Sequence, residues 1–598
     1  MPKFQYSFLY LIFSSFFARV LASFDLVRCC IKAARDESIR SENAANDYPW
    51  KICKLGESIV YPSETQLWSV QKTRAWCNAE CAGYQRSETS QWLQPLATWI
   101  APYVALLLVT PIGEISESKT EQIRAAAGSS GARERLLSSM KWFWEWVSGT
   151  PWEYILLLGD PASALWGAFS EIISDFRLAR RLSDHNSGWL ANIALWITML
   201  AGDTKFEHSI LWNGFINRLE KEDSQGAQSI RDLDEPTMKN TTPWTMLAEE
   251  IIKRTSNTDK VLSSESRDVD KIEPMSSVNA ASSSEFSLRQ SLSYGVHVLV
   301  QGRIDFVKGI FLPVILMLAV AASVFFDAYG KLGDKDTAHA LAYGVWYSWL
   351  ITLSVSGNCF ATSVNVGLAR KAFGDSLRLS DRRVSLSERY MNAFKWELWL
   401  WQIERADPVK ADKGHPKREV WFWTKFVLGQ LLGWVCVAFA CGCAAVISWT
   451  TPTVGLGCRS FTYVLYGIGT FIVAVLHVPR QRLIFLSQDR SGQFQMRIAT
   501  WAHTLLVIFN ALVMIVGTIF HLSGVYRSCQ CSRLFAKDDT LIEFNRNTEQ
   551  SVTNARRYWL VTGYVAFSFV WVVCAMAMAA RKIIVSKMEK ALEDNCFD

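Results

Sequence analysis

The sequence predicts an all-α fold: a polytopic helical membrane bundle of about seven transmembrane helices, with a cytoplasmic helical insertion and a small lumenal N-terminal segment. Three observations predict it. Of 598 residues, 50% are apolar and 20% charged, averages that an ordinary soluble chain shares. The apolar residues are nevertheless bunched into runs of about 20, the length needed to cross a hydrocarbon core of about 30 Å. Lys and Arg concentrate in alternate connections between those runs, as the positive-inside rule requires. Many of the 26 Trp, 33 Phe and 17 Tyr stand at the ends of the runs, where the membrane interface favours Trp and Tyr. The net charge of +6 is too small an excess to argue for nucleic acid. The lipid bilayer is the partner that the pattern implies.

Residues 1–22 read as a secretory signal peptide: Lys3, an apolar core from Phe8 to Ala18, then Val20-Leu21-Ala22 ahead of the cleavage point. A signal anchor is the alternative, weakened by Arg19, a charge that a full span would carry at depth. Residues 23–91 then form a lumenal segment, too short for a large core and dependent on its cysteines. The first span is 92–112, with Pro95, Pro102 and Pro111 along it, so a kink is expected at Pro102.

Residues 113–220 form a cytoplasmic Trp-rich helical domain. Within it Gly159-Asp160-Pro161 is a turn, with Asp160 as N-cap and Pro161 at the first helical position. Leu165, Trp166, Phe169, Ile172, Ile173 and Phe176 follow at helical spacing, opposite Glu171, Asp175, Arg177, Arg180 and Arg181, which makes the helix amphipathic. Its apolar face is read as the core of this domain; a helix lying on the inner leaflet, or a membrane hairpin formed with Trp189–Ala201, are alternatives. Residues 221–287 turn to Ser, Asp and Glu with few apolar clusters, the composition of a disordered linker.

Residues 288–580 hold the six-helix membrane domain, with spans at 309–326, 339–356, 421–448, 461–478, 499–522 and 558–580. Backbone groups in lipid must bond internally, so each is a helix. Basic residues cluster after the third span (Arg370, Lys371, Arg382, Arg383), after the fifth (Arg480, Arg482, Arg490, Arg497) and in the tail 581–598. These connections are therefore cytoplasmic, and the N-terminus lies outside. The 523–557 loop departs from the pattern, its basic residues partly offset by Asp538, Asp539, Glu543 and Glu549. Such a chain belongs to the secretory pathway, in the plasma membrane or an endomembrane.

Cysteine placement agrees with this topology. Cys29, Cys30, Cys53, Cys77, Cys81, Cys458, Cys529 and Cys531 all fall on the lumenal side, an even set suited to disulfides in an oxidising compartment. Their connectivity is open. A metal site on Cys77-x-x-x-Cys81 and Cys529-Gln530-Cys531 is disfavoured, because no lumenal His cluster completes it. The sequon Asn240-Thr241-Thr242 lies on the cytoplasmic side, so no N-glycan is expected.

The search for chemistry assigns no catalytic residue and no cofactor. No two of the eight His stand at metal-ligand spacing on one helix turn, and no phosphate-binding loop or nucleophile elbow occurs. Asp334, Asp336 and His339, with Asp327 nearby, form a weak candidate for cation binding at a pore mouth. Capping of the third span by Asp336 or Thr337, with Lys331 and Lys335 neutralising charge, is the plainer account. Gln430 and Asn510 are the deepest strongly polar groups, and helix–helix hydrogen bonds are expected of both. Lys425, His477 and His503 lie near span ends, where they can reach the interface. Gly429, Gly433, Ala438, Ala440, Gly442, Ala444 and Ala445 form a surface for close helix packing.

Four stretches carry a resemblance: Gln91-Trp92-Leu93-Gln94-Pro95-Leu96, Leu158-Gly159-Asp160-Pro161, Gly333-Asp334-Lys335-Asp336-Thr337-Ala338-His339-Ala340-Leu341-Ala342 and Arg389-Tyr390-Met391-Asn392. In these the chain resembles a family of multi-spanning membrane proteins from filamentous fungi, to which no activity, ligand or catalytic residue is attached. The resemblance implies a fungal integral membrane protein and nothing about chemistry. The function expected is that of a non-enzymatic sensor or scaffold whose cytoplasmic loops meet protein partners. A channel or carrier, its path lined by backbone, Ser, Thr, Gln430 and Asn510, is the alternative. A membrane-embedded enzyme ranks third, and needs two or more carboxylates or His converging in one pocket.

Overall fold

A computed structural model describes residues 26–36, 70–81, 96–104, 154–182, 311–360, 416–486, 490–544 and 549–594, with the stretches 204–206 and 384–386 and the positions 53, 83, 84, 87, 93 and 298. The expected signal peptide and linker, and the residues of the first span other than 93 and 96–104, lie outside the described residues.

Helices dominate. Four of them are long and apolar enough to cross a membrane, at Trp423–Thr450, Cys458–Arg480, Phe494–Ser523 and Gln550–Met588. They coincide with the last four spans expected from the sequence. The first three lie on α7 (Pro416–Thr450), α8 (Cys458–Leu486) and α9 (Arg490–Ser523), and the fourth runs from the helical turns Glu549–Asn554 and Ala555–Trp559 into α10 (Leu560–Asp594). They follow α1 (Leu26–Asp36), α2 (Arg74–Glu80) and α3 (Pro161–Leu182). Between α3 and α7 come α4 (Leu312–Gly330), α5 (Lys335–Tyr347) and α6 (Trp349–Phe360). The expected span at 309–326 falls largely on α4. That at 339–356 is divided at Ser348, where the bonds Ser348 N to Val345 O and Ile351 N to Ser348 O, both 3.1 Å, tighten the backbone to a three-residue repeat.

The long helices turn large apolar side chains outward. Ile468, Trp501, Leu505, Val572 and Met576 are all exposed, Trp501 at 69%. Their strongly polar groups point the other way: Gln430 is 2% exposed, and Asn510 and Thr470 are 0%. Polar inside and apolar outside is the arrangement that lipid selects, and an exposed apolar surface of this extent in water would be an association site.

Helix α3 packs against α6, α7, α8 and α10. This is the helix that the sequence placed in the segment between the first two spans. Leu165 and Ala168 on it are fully buried, as is Asp175 at 1% exposure. An aromatic cluster fills the interior beside it: Trp99 stacks on Tyr103 and on Phe567, and Trp346 meets Tyr463 and Tyr466.

One end of the bundle carries a cap. Strand β1 (Gln71–Thr73) pairs antiparallel with β4 (Leu541–Glu543), in the register Gln71↔Glu543, Lys72↔Ile542, Thr73↔Leu541. A second antiparallel pair joins β2 (Thr204–Phe206) to β3 (Val384–Leu386). The eight cysteines singled out in the sequence form four disulfides: Cys29–Cys81, Cys30–Cys53, Cys77–Cys529 and Cys458–Cys531. They surround a small core of Ile31, Val70, Ile542 and Phe544. Cys77–Cys529 ties the N-terminal segment to the connection after α9 across a sequence separation of 452. Cys359, Cys436, Cys441, Cys443 and Cys574 are free and buried.

Candidate functional site

The site is built around the start of α3. A short helix over 154–159 stops at Asp160, and α3 resumes at Pro161. Proline is accepted there because the first helical N–H has no intrahelical partner. Asp160 Oδ1 accepts from Ser163 N at 3.2 Å, the N-cap bond expected from the sequence. A helix end leaves backbone groups unsatisfied, and in an apolar bundle neighbouring side chains must supply their partners. They do so here. Tyr466 Oη donates to Leu158 O at 2.7 Å, and Asn510 Nδ2 donates to Gly159 O at 3.0 Å and to Thr470 Oγ1 at 3.1 Å. Ser163 Oγ donates to Gln430 Oε1 at 3.1 Å.

The remaining carboxylate oxygen, Asp160 Oδ2, faces two imidazoles. His477 Nδ1 lies 3.7 Å and His503 Nε2 3.8 Å from it, and the two ring nitrogens are 3.4 Å apart. All three residues are buried. His477 is 19 residues along α8 from Cys458, which at 1.5 Å per residue sets the cluster roughly 30 Å from the capped end. That length is about the thickness of a hydrocarbon core, which these helices are long and apolar enough to cross.

An ion about 2.1 Å from all three atoms fits the centre of that triangle, the length of a Zn–N or Zn–O bond. The surroundings suit a different arrangement. Arg480 Nη1 lies 3.3 Å from His503 Nδ1. A guanidinium only donates, so His503 Nδ1 accepts and its Nε2 carries the hydrogen toward Asp160 and His477. A metal on Nε2 would need Nδ1–H to face an acceptor, and Arg480 adds a positive charge instead. The four side chains form a charge-compensated cluster linking α3, α8 and α9, hydrogen-bonded from Arg480 through His503 to His477, with Asp160 at ion-pair distance from both imidazoles. The sequence identified Asp160 as a cap and the two His as residues near span ends; their convergence was not legible from it.

Gln430 and Asn510, the polar groups expected to bond between helices, both do so, and both hold the 159–163 turn. The cation candidate at the capped end is composed differently. Asp334 Oδ2 accepts from Thr337 N at 3.0 Å and Thr337 Oγ1 at 2.8 Å, so Asp334 itself caps α5. Asp336 Oδ1 lies 3.2 Å from Arg527 Nη2. His339 lines a cavity of about 100 Å³ together with Lys335, Arg459 and Arg527, so its surroundings are cationic.

Compared with known protein families, with curated proteins and with solved structures, the chain shows no match.

Proposed function

We propose that this chain is an integral membrane protein acting as a non-enzymatic sensor or scaffold, its capped end in an oxidising lumen or outside the cell and its uncapped end in the cytoplasm. One observation carries the reading. The deepest polar side chains each fasten the 159–163 turn, Gln430 through Oε1 to Ser163 and Asn510 through Nδ2 to Gly159. Gln430 Nε2 and Asn510 Oδ1 have no hydrogen-bond partner among the described residues. Asn510 Oδ1 is nevertheless packed so closely that a Cβ on Gly469 would stand 2.4 Å from it, which leaves no room for cargo there. The packing beside them is close: a Cβ built on Gly433 would stand 2.2 Å from Ala162 O, and one on Gly159 2.2 Å from Val507 O. The disulfide cap supports the orientation, since such bonds persist in oxidising compartments.

A carrier is the second reading, favoured by the meeting of Asp160, His477, His503 and Arg480 in the bundle, because ionisable groups at membrane depth mark ion and proton paths. Cysteine-accessibility labelling separates the two. With the buried native thiols replaced, Gln430→Cys and Asn510→Cys in intact membranes should resist a water-soluble maleimide. Labelling at both positions would establish a wet route and replace the first reading with the second. Tags at residues 400 and 590, reached only after permeabilisation, test the orientation.

A further inference from the structure

The cavity at the capped end has an unusual charge arrangement. It holds about 100 Å³ between the starts of α5 and α8 and the cap, and its charged lining is Lys335, Asp336, Arg459, Arg527 and Glu543. Cations outnumber carboxylates there. Asp336 is engaged by Arg527 at 3.2 Å. Lys335 Nζ donates to the backbone oxygen of Glu543 at 3.0 Å. Arg459 is 8% exposed, and among the described residues it has no carboxylate within ion-pair range. The Tyr526 ring lies 5.8 Å from its guanidinium carbon, and Asp336, already engaged by Arg527, favours its charge only from beyond ion-pair range. Among the described residues its Nε, the Nδ1 of His339 and, on the acidic side, the Oε1 of Glu543 are buried without a hydrogen-bond partner. Burying a guanidinium without an anion is costly, and so is each orphaned donor.

We propose that this cavity binds a small oxyanion, a carboxylate or phosphate group, through the guanidinium of Arg459. The planar fork of arginine matches such groups and delivers two parallel bonds. The first turn of α8, which begins at Cys458, adds the positive end of a helix dipole beside it. Burial also lowers the Lys335 ammonium to about 8 against the pull of Glu543, and a bound anion would restore its charge. The volume limits the group to a few heavy atoms, free in solution or the headgroup of a lipid whose chains stay outside.

The test is thermal unfolding of the full-length protein in detergent, disulfides intact, with ionic strength held by chloride, which lacks the paired oxygens that the arginine fork matches. The probes are acetate, inorganic phosphate and dihexanoylphosphatidate. A saturable rise in Tm with at least one probe is expected. Its half-saturation should move up about tenfold or more in Arg459→Gln, because a charge-assisted pair is lost. Arg459→Lys, which keeps the charge without the fork, should fall between, and the exposed Arg497→Gln should match the unsubstituted chain. Saturation by the phosphatidate alone assigns the site to a lipid headgroup; saturation by acetate or phosphate assigns it to a free anion. No saturable rise with any probe overturns the proposal, as does an unchanged half-saturation in Arg459→Gln. Should Arg459→Gln fail to fold, Arg459→Lys and Lys335→Met decide by the same criterion.

Discussion

Asn510 Nδ2 donates to the carbonyl oxygen of Gly159 at 3.0 Å, across a sequence separation of 351. The same nitrogen reaches Thr470 Oγ1, so one amide fastens α8, α9 and the start of α3. Asn510→Leu keeps the volume and leaves the Gly159 carbonyl buried without that donor. An unsatisfied buried acceptor costs about 1–3 kcal/mol, so a lower Tm is expected in detergent, while Leu505→Ala on the outward face of α9 should change little. A Tm for Asn510→Leu equal to that of the unsubstituted protein would remove the bond from the structural account.

Gly433 and Gly442 look alike in sequence, both on the small-residue surface of α7. The structure separates them. A Cβ at Gly433 would meet Ala162 O at 2.2 Å, whereas one at Gly442 meets nothing within 4 Å among the described residues. A backbone oxygen cannot rotate away as a side chain can, so Gly433→Ala forces α3 off α7 and is expected to cost about 1–3 kcal/mol. Gly442→Ala should be neutral or slightly stabilising, since alanine favours the helix. Paired melting curves check it, and equal losses at both positions would contradict the packing.

These two cases show what was legible in the sequence. The last four apolar runs, the even cysteine set and the N-cap at Asp160 are local or compositional signals, and each has its counterpart in the structure. The convergence of Asp160, His477 and His503 depends on which faces of α8 and α9 meet the start of α3. His477 and His503 stand singly, 26 residues apart, and neither spacing nor periodicity announces a shared site. The sequence did hold one neglected hint: Gly159-Asp160-Pro161 puts a charge beside a helix break, and in a bundle of apolar helices such a break requires polar partners. The pairing of cysteines was closed to sequence reading for a similar reason, since Cys77–Cys529 depends on β1 meeting β4.

Lys335 gives a pH signature. Burial holds its ammonium at about 8, below its ordinary 10.5, against the attraction of Glu543, Asp336 and Asp334. Between those values the unfolded chain keeps a proton that the folded chain has released, so stability rises with pH across that window. Below about pH 8 both states are protonated and the penalty of the buried charge stands in full. Lys335→Met should therefore melt higher than the unsubstituted protein at pH 7, with the gap closing toward pH 10. A gap independent of pH would show that the side chain is charged in both states throughout.

The cap gives a covalent test. Replacing Cys77 and Cys529 together by Ser removes the link between the N-terminal segment and the connection after α9 while leaving no unpaired thiol from it. Losing a disulfide that closes a long loop costs about 2–5 kcal/mol. The double variant should melt lower and lose cap protection from protease first. Peptide mapping without reduction should recover four pairs: 29 with 81, 30 with 53, 77 with 529 and 458 with 531. Recovery of other pairs would displace the cap's architecture.

Asp160 serves two roles that substitutions can separate. Asp160→Asn keeps an oxygen for the cap bond to Ser163 N, and removes the charge that compensates Arg480 beside His503. Asp160→Ala removes both. A lost N-cap costs about 0.5–2 kcal/mol. Arg480 is half-buried, so losing its compensating charge costs less than breaking a fully buried pair, which costs about 3–5 kcal/mol. The loss should therefore be shared between Asp160→Asn and the further step to Asp160→Ala. If Asp160→Asn melts like the unsubstituted protein and only Asp160→Ala is destabilised, the cap is the whole of its contribution. Zinc gives the complementary measurement. With Arg480 3.3 Å from His503 Nδ1, added Zn²⁺ should raise the Tm no more in the unsubstituted protein than in His477→Gln. A rise confined to the unsubstituted protein would mean that Arg480 swings aside and that the three ligand atoms close on a metal.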